Sequence, residues 1–354
     1  MATLIDKKPI STIFTPRNPD VNLKMYVPRI KLEEALLDSI NGSMHTMIFG
    51  ESGNGKSWLY KKILDQNKIP YVVANCASAS RKKSLTDEIC CTLIPEGTPQ
   101  KVAFTEKKEA SGNVLFASGK LDHTDQFTVR NQDPLFFAFQ QHSQAHGFNK
   151  SVLVIDNLES IFKREDLMEE LADIVNLLDD AKFAKFNIKL LIVGIPNGVL
   201  DYFAKTKNME AVANRIEELP KVNSLTVAQT RSLVTKGFNE LLKYGFSREQ
   251  IEEITLHVHH ITMGVAQRMH EYCAKFAKAF EDNGMRYLPT IFSDADRKWL
   301  IVGLRASYTV IESHFNSRKT TIARRNQIIY CVGKIDTHQF AVDDIREGHF
   351  YKSP

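Results

Sequence analysis

Residues 50–57 read Gly50-Glu51-Ser52-Gly53-Asn54-Gly55-Lys56-Ser57. The glycines allow the backbone to curl so that consecutive amide N–H groups point at one anion. The Lys56 ammonium can reach the β- and γ-phosphates of a nucleoside triphosphate, and the Ser57 hydroxyl can ligate Mg²⁺. The motif alone is a weak signal, because a Gly-rich turn can match it by chance.

The flanking sequence supplies the strand and the helix that a phosphate-binding loop requires. Residues 44–49 are a short apolar run, which predicts a buried strand, and residues 56–65 have helical character. Strand, glycine loop and helix in this order predict a P-loop that binds ATP with Mg²⁺. We assign Trp58, directly after the loop, to the same nucleotide-binding set.

A carboxylate at the end of a second apolar strand would complete the metal site. Val152-Leu153-Val154-Ile155 is followed by Asp156, which can hold Mg²⁺ through water. The next residue is Asn157, and the nearest carboxylate beyond it is Glu159. Glu159 either orients the attacking water as a base or caps the following helix. The pattern therefore predicts ATP binding and leaves slow or partner-stimulated hydrolysis open.

Composition indicates an ordinary globular protein. Of the 354 residues, 43% are hydrophobic and 25% are charged, and a net charge of +4 does not by itself indicate nucleic-acid binding. The five cysteines show no CxxC spacing, which predicts reduced thiols in a cytoplasmic protein. The longest apolar runs are too short to span a membrane, and residues 1–19 lack the pattern of a secretory signal.

Hydrophobic periodicity predicts an α/β core followed by a helical region. We expect buried strands at 44–49, 71–74, 151–156, 189–194 and 219–222, and helices that include 30–40, 133–145 and 163–182. From residue 226 onward only helices are expected, at 226–243, 247–258, 264–282, 294–316 and 319–332. The predicted organisation is an extended N-terminal arm (1–21), a P-loop core (22–224) with a surface insertion at about 94–127, a helical unit (225–285) and a C-terminal unit (286–354).

With the phosphate loop and Asp156 placed, residues 22–282 resemble the AAA+ P-loop ATPases of the ASCE type. The likeness is to the branch that holds origin-recognition initiators, transposition regulators of the MuB and TniB kind and secretion ATPases of the ExeA kind; the STAND NTPases are related. The resemblance implies a parallel five-stranded sheet, with residues 225–285 as a lid. Tyr26-Val27-Pro28-Arg29 resembles the start of the helix that packs against adenine, which places Arg29 in the nucleotide site.

The same resemblance assigns three further polar residues. Asn197 matches the polar residue that senses the γ-phosphate, although a Pro-Asn-Gly turn would also explain it. Arg268 matches the lid's second sensor, or is a surface arginine at a helix start. Arg215 is similar to the arginine that reaches a neighbouring subunit's nucleotide, or it pairs with Glu217 or Glu218.

Residues 286–354 have the size and rhythm of a helix-turn-helix or winged-helix module. Short helices are expected at 294–304, 307–315 and 320–332, with a strand or short helix at 339–345. Basic residues cluster on and before the third helix: Arg318, Lys319, Arg324 and Arg325. The cluster could contact DNA or RNA phosphates, or it could be a solvated basic face.

Three functions are compatible with these features. The first is an ATP-hydrolysing regulator that assembles as a homo-oligomer on DNA or RNA, with the nucleotide state controlling assembly. The second is a STAND-type switch that controls a separate effector or recombinase protein, as in a bacterial defence or mobile-element system. The third, motivated by Asn157, is a scaffold that binds ATP and scarcely hydrolyses it.

Overall fold

The structure is a computed structural model that describes residues 8–94, 133–194, 203, 212–303, 305–316 and 324–335. The chain divides into two compact units, one formed by Thr15–Met269 and the other by Met1–Phe14 together with His270–Pro354. Among the described helices, none combines the length and the hydropathy needed to cross a membrane.

A parallel β-sheet forms the centre of the Thr15–Met269 unit. Its five strands are β1 (His45–Phe49), β2 (Tyr71–Asn75), β3 (Ser151–Asp156), β4 (Ile188–Gly194) and β5 (Ile216–Glu218). They lie in the order β2-β3-β4-β1-β5, and every pairing is parallel. The carboxyl ends of all strands therefore meet at one edge, where α/β sheets bind their ligands. The predicted α/β fold with a five-stranded parallel sheet is confirmed.

The fifth strand lies elsewhere than predicted. We expected it at 219–222, whereas β5 is Ile216–Glu218 and pairs with the first residues of β1. One buried residue followed by two exposed glutamates does not produce the apolar run by which the other strands are recognised. Residues 219–222 lie instead in a linker (219–225), in which the Val222 N–H donates to the Phe49 carbonyl at 2.8 Å.

Two hydrophobic cores form, one on each face of the sheet. Along β3, Val152 and Val154 belong to one core while Leu153 and Ile155 belong to the other, as the twofold periodicity of a strand requires. The first core contains side chains of α2 (Ile30–Asn41) and α3 (Lys56–Gln66). The second contains side chains of α4 (Cys76–Lys82), α5 (Leu85–Leu93), α6 (Pro134–Ala145), α7 (Glu165–Leu178) and α8 (Ala181–Ala184).

Two local expectations need correction. The single helix expected at 163–182 is two helices, because Asp180 leaves the helical conformation after α7 and its side chain caps α8 by accepting from the Lys182 N–H at 2.7 Å. The N-terminal arm is not extended throughout, since Ile10–Ile13 (α1) forms a short helix. The insertion at 94–127 falls almost wholly outside the described residues.

Three helices follow the linker, as the sequence predicted. They are α9 (Val227–Val234), which continues into a π-helical segment at Thr235–Leu241, α10 (Arg248–Thr262) and α11 (Ala266–Asp282). Capping boxes at Thr226 with Gln229 and at Ser247 with Gln250 begin the first two. Helix α11 starts in the Thr15–Met269 unit and continues into the other one.

The unit that contains His270–Pro354 includes α12 (Thr290–Gly303), α13 (Arg305–Ser313) and α14 (Arg324–Val332). Tyr272 links α11 to α12, because its hydroxyl donates to Asp296 Oδ1 at 2.6 Å and its ring meets Trp299 edge-on at 5.9 Å. Arg324 and Arg325 begin α14 and are exposed. Arg318, Lys319 and residues 339–345 lie outside the described residues.

Candidate functional site

The phosphate loop connects β1 to α3 at the carboxyl edge of the sheet. Gly53 has φ +83°, a value that L side chains rarely adopt, and a Cβ on Gly50 would lie 2.4 Å from the Val222 carbonyl oxygen. Helix α3 begins at Lys56 directly after Gly55, so its free N–H groups and positive end face the loop. These are the features of an anion-binding loop.

Lys56 is folded back onto the loop. Its Nζ donates to the carbonyl oxygens of Gly50 at 2.7 Å and Glu51 at 3.1 Å. Burial lowers the pKa of Lys56, while the carboxylates of Glu159, Asp156 and Glu51 act in the opposite direction. The ammonium therefore lies close to both carboxylates that the sequence proposed for the site.

Asp156 is held in place by a side chain of α3 and by the backbone of the next residue. Its Oδ2 accepts from the Tyr60 hydroxyl at 3.2 Å, and its Oδ1 accepts from the Asn157 N–H at 2.8 Å. Burial and Asp156 raise the pKa of Tyr60, so the hydroxyl remains a donor at neutral pH. On the same helix, no bond of the Ser57 hydroxyl to another described residue is present. A hydroxyl and a carboxylate are hard oxygen ligands of the kind that Mg²⁺ prefers, so the donor set fits this ion.

The chain turns sharply after Asp156. Asn157 adopts φ +60°, a conformation that asparagine tolerates better than most residues, and Leu158–Ser160 form one 3₁₀ turn. The turn buries Leu158 and leaves Glu159 exposed, where its charge acts on Lys56. Helix α7 begins only at Glu165, so Glu159 is not its cap. Of the two roles considered from sequence, capping of helix α7 is excluded. The electrostatic effect of Glu159 on Lys56 places this carboxylate near the phosphate loop.

The start of α11 rests on the phosphate loop. The Gln267 N–H donates to the Gly53 carbonyl at 3.0 Å, and a Cβ on Gly53 would lie 3.0 Å from the Val265 side chain. Arg268, the next residue, is half-buried. Within the described part of the chain its guanidinium has neither a hydrogen bond nor an ion pair, which leaves it available to an anion.

Arg29 contacts the loop from its outer side. Its Nη2 donates to the Asn54 carbonyl at 2.7 Å, and burial lowers its pKa. Glu33 holds this region, since it accepts from the Arg29 N–H at 2.8 Å and from the Tyr26 hydroxyl at 2.8 Å. The Trp58 indole N–H donates to the Asn18 carbonyl at 3.1 Å. The structure thus places the Arg29 guanidinium on the loop backbone and the indole N–H of Trp58 on the N-terminal segment.

Two proposed residues are not seen beside the loop. Asn197 lies outside the described residues. Arg215 precedes β5, at the amino edge of the sheet, where its Nε lies 2.7 Å from Asp179 Oδ2. The five residues of β1 separate this edge from the phosphate loop by about 16 Å. Arg215 therefore does not belong to the phosphate site of its own chain, and sequence reasoning had not named Asp179 as a partner.

Sequence reasoning also missed the residues that join the loop to its surroundings. Tyr60, Val222 and Gln267 bind Asp156, Asn54 and Gly53 respectively. No motif marks these three positions, because two of the contacts use backbone groups that any residue carries. These contacts join residues far apart along the chain; Asn54 and Val222, for example, are separated by 168 positions.

Comparison with known proteins agrees with this geometry. Residues 40–203 match the family model described as an AAA domain. No curated protein matches the chain in sequence. Among solved structures, the Walker-type ATPase PABY2304 of Pyrococcus abyssi is 14% identical with a TM-score of 0.58, over 95% of this chain and 92% of that one.

Two further solved structures are similar. Cdc6p from Pyrobaculum aerophilum is 15% identical with a TM-score of 0.51, over 96% of this chain and 82% of that one. The ORC2 protein of Aeropyrum pernix in its ADP form is 13% identical with a TM-score of 0.51, over 96% of this chain and 87% of that one. Likeness at these identities is a likeness of fold. Residues 40–203 therefore match an AAA domain, and the chain has the fold of the AAA+ P-loop ATPases.

Proposed function

We propose that this protein binds ATP with Mg²⁺, hydrolyses it, and uses the nucleotide state to set the position of its helical lid. One observation carries the proposal: the phosphate loop, the Asp156 carboxylate and the start of α11, which includes Arg268, meet at one edge of the sheet. The similar ORC2 structure is that of an ADP form, which supports a nucleotide in this place.

Binding would begin with an exchange of partners at Lys56. Its ammonium now donates to two neutral carbonyl groups, Gly50 and Glu51. A β- or γ-phosphate is a charged acceptor and makes the stronger hydrogen bond. The loop amides and the N-terminus of α3 would hold the remaining phosphate oxygens. Ser57 and Asp156 would hold Mg²⁺, which neutralises phosphate charge.

For hydrolysis, we assign the role of base to Glu159. A water attacks the γ-phosphorus, the bond to the β–γ bridging oxygen breaks, and the water's proton passes to the Glu159 carboxylate. Asn197 is proposed to orient that water or the γ-phosphate, on the strength of the family resemblance alone. Arg268 would bind the γ-phosphate from the lid. Loss of the γ-phosphate on hydrolysis would then release the first turn of α11.

We further propose a cytoplasmic homo-oligomer that assembles on DNA or RNA. Three observations support this part. The fold is similar to that of Cdc6p and ORC2, Arg324 and Arg325 are exposed at the start of α14, and Arg215 lies far from its own phosphate loop. Arg215 would serve a neighbouring subunit's nucleotide after release from Asp179.

The test compares the wild-type protein with Lys56→Ala and with Lys61→Ala as the matched control. Lys61 lies on the same helix, but its ammonium donates to the Pro19 carbonyl at 2.7 Å and not to the loop. ATP binding is measured by titration with Mg²⁺, mass by light scattering with and without ATP, and nucleic-acid binding by anisotropy of labelled DNA and RNA at low salt.

Wild type and Lys61→Ala should bind ATP, gain mass with it and retain nucleic acid, and Lys56→Ala should do none of these. A protein that stays monomeric both with and without ATP would contradict the proposed homo-oligomer. ATP binding without DNA or RNA binding at low salt would contradict the nucleic-acid part.

A second candidate is favoured by one residue. Asn157 stands where many relatives have a glutamate, which suits a STAND-type switch that holds ATP for long periods and controls a separate effector or recombinase protein. A distinct protein that copurifies with this chain in an ATP-dependent way, without nucleic acid, would favour this second candidate over the first.

A further inference from the structure

The side chain of Asn54, in the phosphate loop, is buried and is hydrogen-bonded to residues outside the loop. Only 1% of the residue is exposed, and its Nδ2 donates to the Val222 carbonyl at 3.1 Å. The Ser224 hydroxyl lies 3.5 Å from its Oδ1. A phosphate loop binds its ligand through backbone N–H groups, so the amide is not needed for phosphate contact. It is used instead to hold residues 222–224.

The carbonyl groups of this part of the loop are bound as well. The Asn54 carbonyl accepts from Arg29 at 2.7 Å, and the Gly53 carbonyl accepts from the Gln267 N–H at 3.0 Å. Two consecutive peptides of the loop therefore have outward bonds to the segment before α2 and to the first turn of α11. A shift of these peptides toward a phosphate would pull on both.

The linker at residues 219–225 is bonded to the strand end before the loop and to the loop itself. The Val222 N–H donates to the Phe49 carbonyl at 2.8 Å, just before the loop, and its carbonyl accepts from Asn54 inside it. Three residues later, the Leu225 N–H donates to the Gly264 carbonyl at 2.8 Å, at the turn between α10 and α11. The linker thus connects the loop to the turn on which α11 begins.

We propose that Asn54 is a positioning residue that transmits a change at the phosphate loop to the linker and to the start of α11. The inference rests on the proposed function, since it requires that the loop bind ATP. The side-chain amide moves with its peptide, so tightening of the loop around phosphate draws Val222 with it. A role in loop shape alone would affect ATP and ADP equally and would leave the linker's response to nucleotide intact.

The experiment measures amide hydrogen exchange of the full chain without nucleotide, with ATP and with ADP. Three segments are compared: the loop (50–57), the linker (219–225) and the turn that leads into α11 together with its first residues (263–269). The test variant is Asn54→Ala. The control is Asn239→Ala, because the Asn239 amide makes the same kind of contact inside the lid, with the backbone oxygen and nitrogen of Phe246, both at 2.8 Å.

In the wild-type protein and in Asn239→Ala, ATP should slow exchange in all three segments, and more than ADP does. In Asn54→Ala, ATP should still protect the loop, but protection of the linker should fall by at least about half, with ATP affinity about tenfold weaker, the effect of losing one buried hydrogen bond.

Two results would overturn the inference separately from the proposed function. ATP binding with an unchanged linker response in Asn54→Ala overturns the inference alone. No ATP binding by the wild-type protein overturns the proposed function and this inference with it. If Asn54→Ala does not fold, the wild-type exchange data decide. If ATP slows exchange in the loop but not in the linker, the coupling is contradicted. If ATP slows exchange in both segments, the coupling is supported.

Discussion

The backbone N–H of Gln267 donates to the carbonyl oxygen of Gly53 across 3.0 Å. This contact holds the first turn of α11 against the phosphate loop, and Arg268 is the next residue of that turn. Because the contact uses backbone atoms, any residue except proline at position 267 can make it. A lid that is hydrogen-bonded to the phosphate loop can respond to the ligand that the loop binds.

Replacing Arg268 with alanine should weaken ATP binding and leave ADP binding nearly unchanged. The guanidinium has no partner in the described part of the chain, and a γ-phosphate would supply one. Loss of one charge-assisted hydrogen bond corresponds to about tenfold in ATP affinity. Titration with both nucleotides measures the difference. Arg248→Ala is the control, since Arg248 is an exposed lid arginine at the start of another helix; equal losses for ATP and ADP would contradict the role.

Changing Glu159 to glutamine should slow phosphate release without preventing ATP binding. The amide keeps the size of the side chain but cannot take the water's proton, and loss of a general base costs about 100-fold in rate. Phosphate release is measured at saturating ATP. Glu165→Gln is the control, because Glu165 begins α7 and lies beyond the 3₁₀ turn. Unchanged release in Glu159→Gln would favour the scaffold that scarcely hydrolyses ATP.

Replacing Glu170 with alanine should destabilise the fold. Its carboxylate accepts from the Leu85 N–H at 2.7 Å, the Thr86 N–H at 2.8 Å and the Ser84 hydroxyl at 3.0 Å, which are groups at the N-terminus of α5. Removing hydrogen bonds to a charged acceptor should lower the free energy of unfolding by about 2 kcal/mol.

Urea denaturation at neutral pH measures this loss. Asp173→Ala is the control, because Asp173 is an exposed carboxylate on the same helix, α7. An equal effect of the two substitutions would show that the loss comes from helix charge and not from the bonds to α5.

The stability of the protein should fall as the pH drops below 6.5, in part through His45. Burial lowers the pKa of His45 from 6.5 to about 4, and its Nδ1 accepts from the Leu190 N–H at 3.2 Å, which requires the neutral ring. The unfolded chain therefore binds the proton first. Stability from the neutral ring is present above pH 6.5 and is lost as the pH falls toward 4, by about 3 kcal/mol in all.

His45→Asn tests this, because an amide oxygen can accept the same N–H and does not titrate. Between pH 6.5 and 4, the free energy of unfolding should fall less steeply with pH in the variant than in the wild type. The two slopes should differ by about 1.4 kcal/mol per pH unit. Urea denaturation at several pH values measures the slope. Parallel slopes for wild type and variant would mean that His45 is not the group that titrates.

The phosphate loop and the sheet around it could be predicted because both depend on local pattern. The glycines before Lys56, the apolar runs of β1, β3 and β4, and Asp156 at a strand end can each be recognised within a few residues. The fifth strand could not, since Ile216–Glu218 has a single buried residue and is held by its pairing with β1. A strand of that length carries too little apolar pattern to be recognised.

The candidate site divides along the same line. Local sequence is enough to specify the anion-binding loop, because a glycine pattern and a helix start create it wherever they occur together. Three contacts arise only when distant segments pack. They are the approach of Glu159 to Lys56, the hydrogen bond from Asn54 to Val222 and the hydrogen bond from Gln267 to Gly53. Those contacts depend on turns and on backbone groups that nearly every residue type shares, so no sequence motif predicts them. The connection between the phosphate loop and the lid is therefore decided by the tertiary structure.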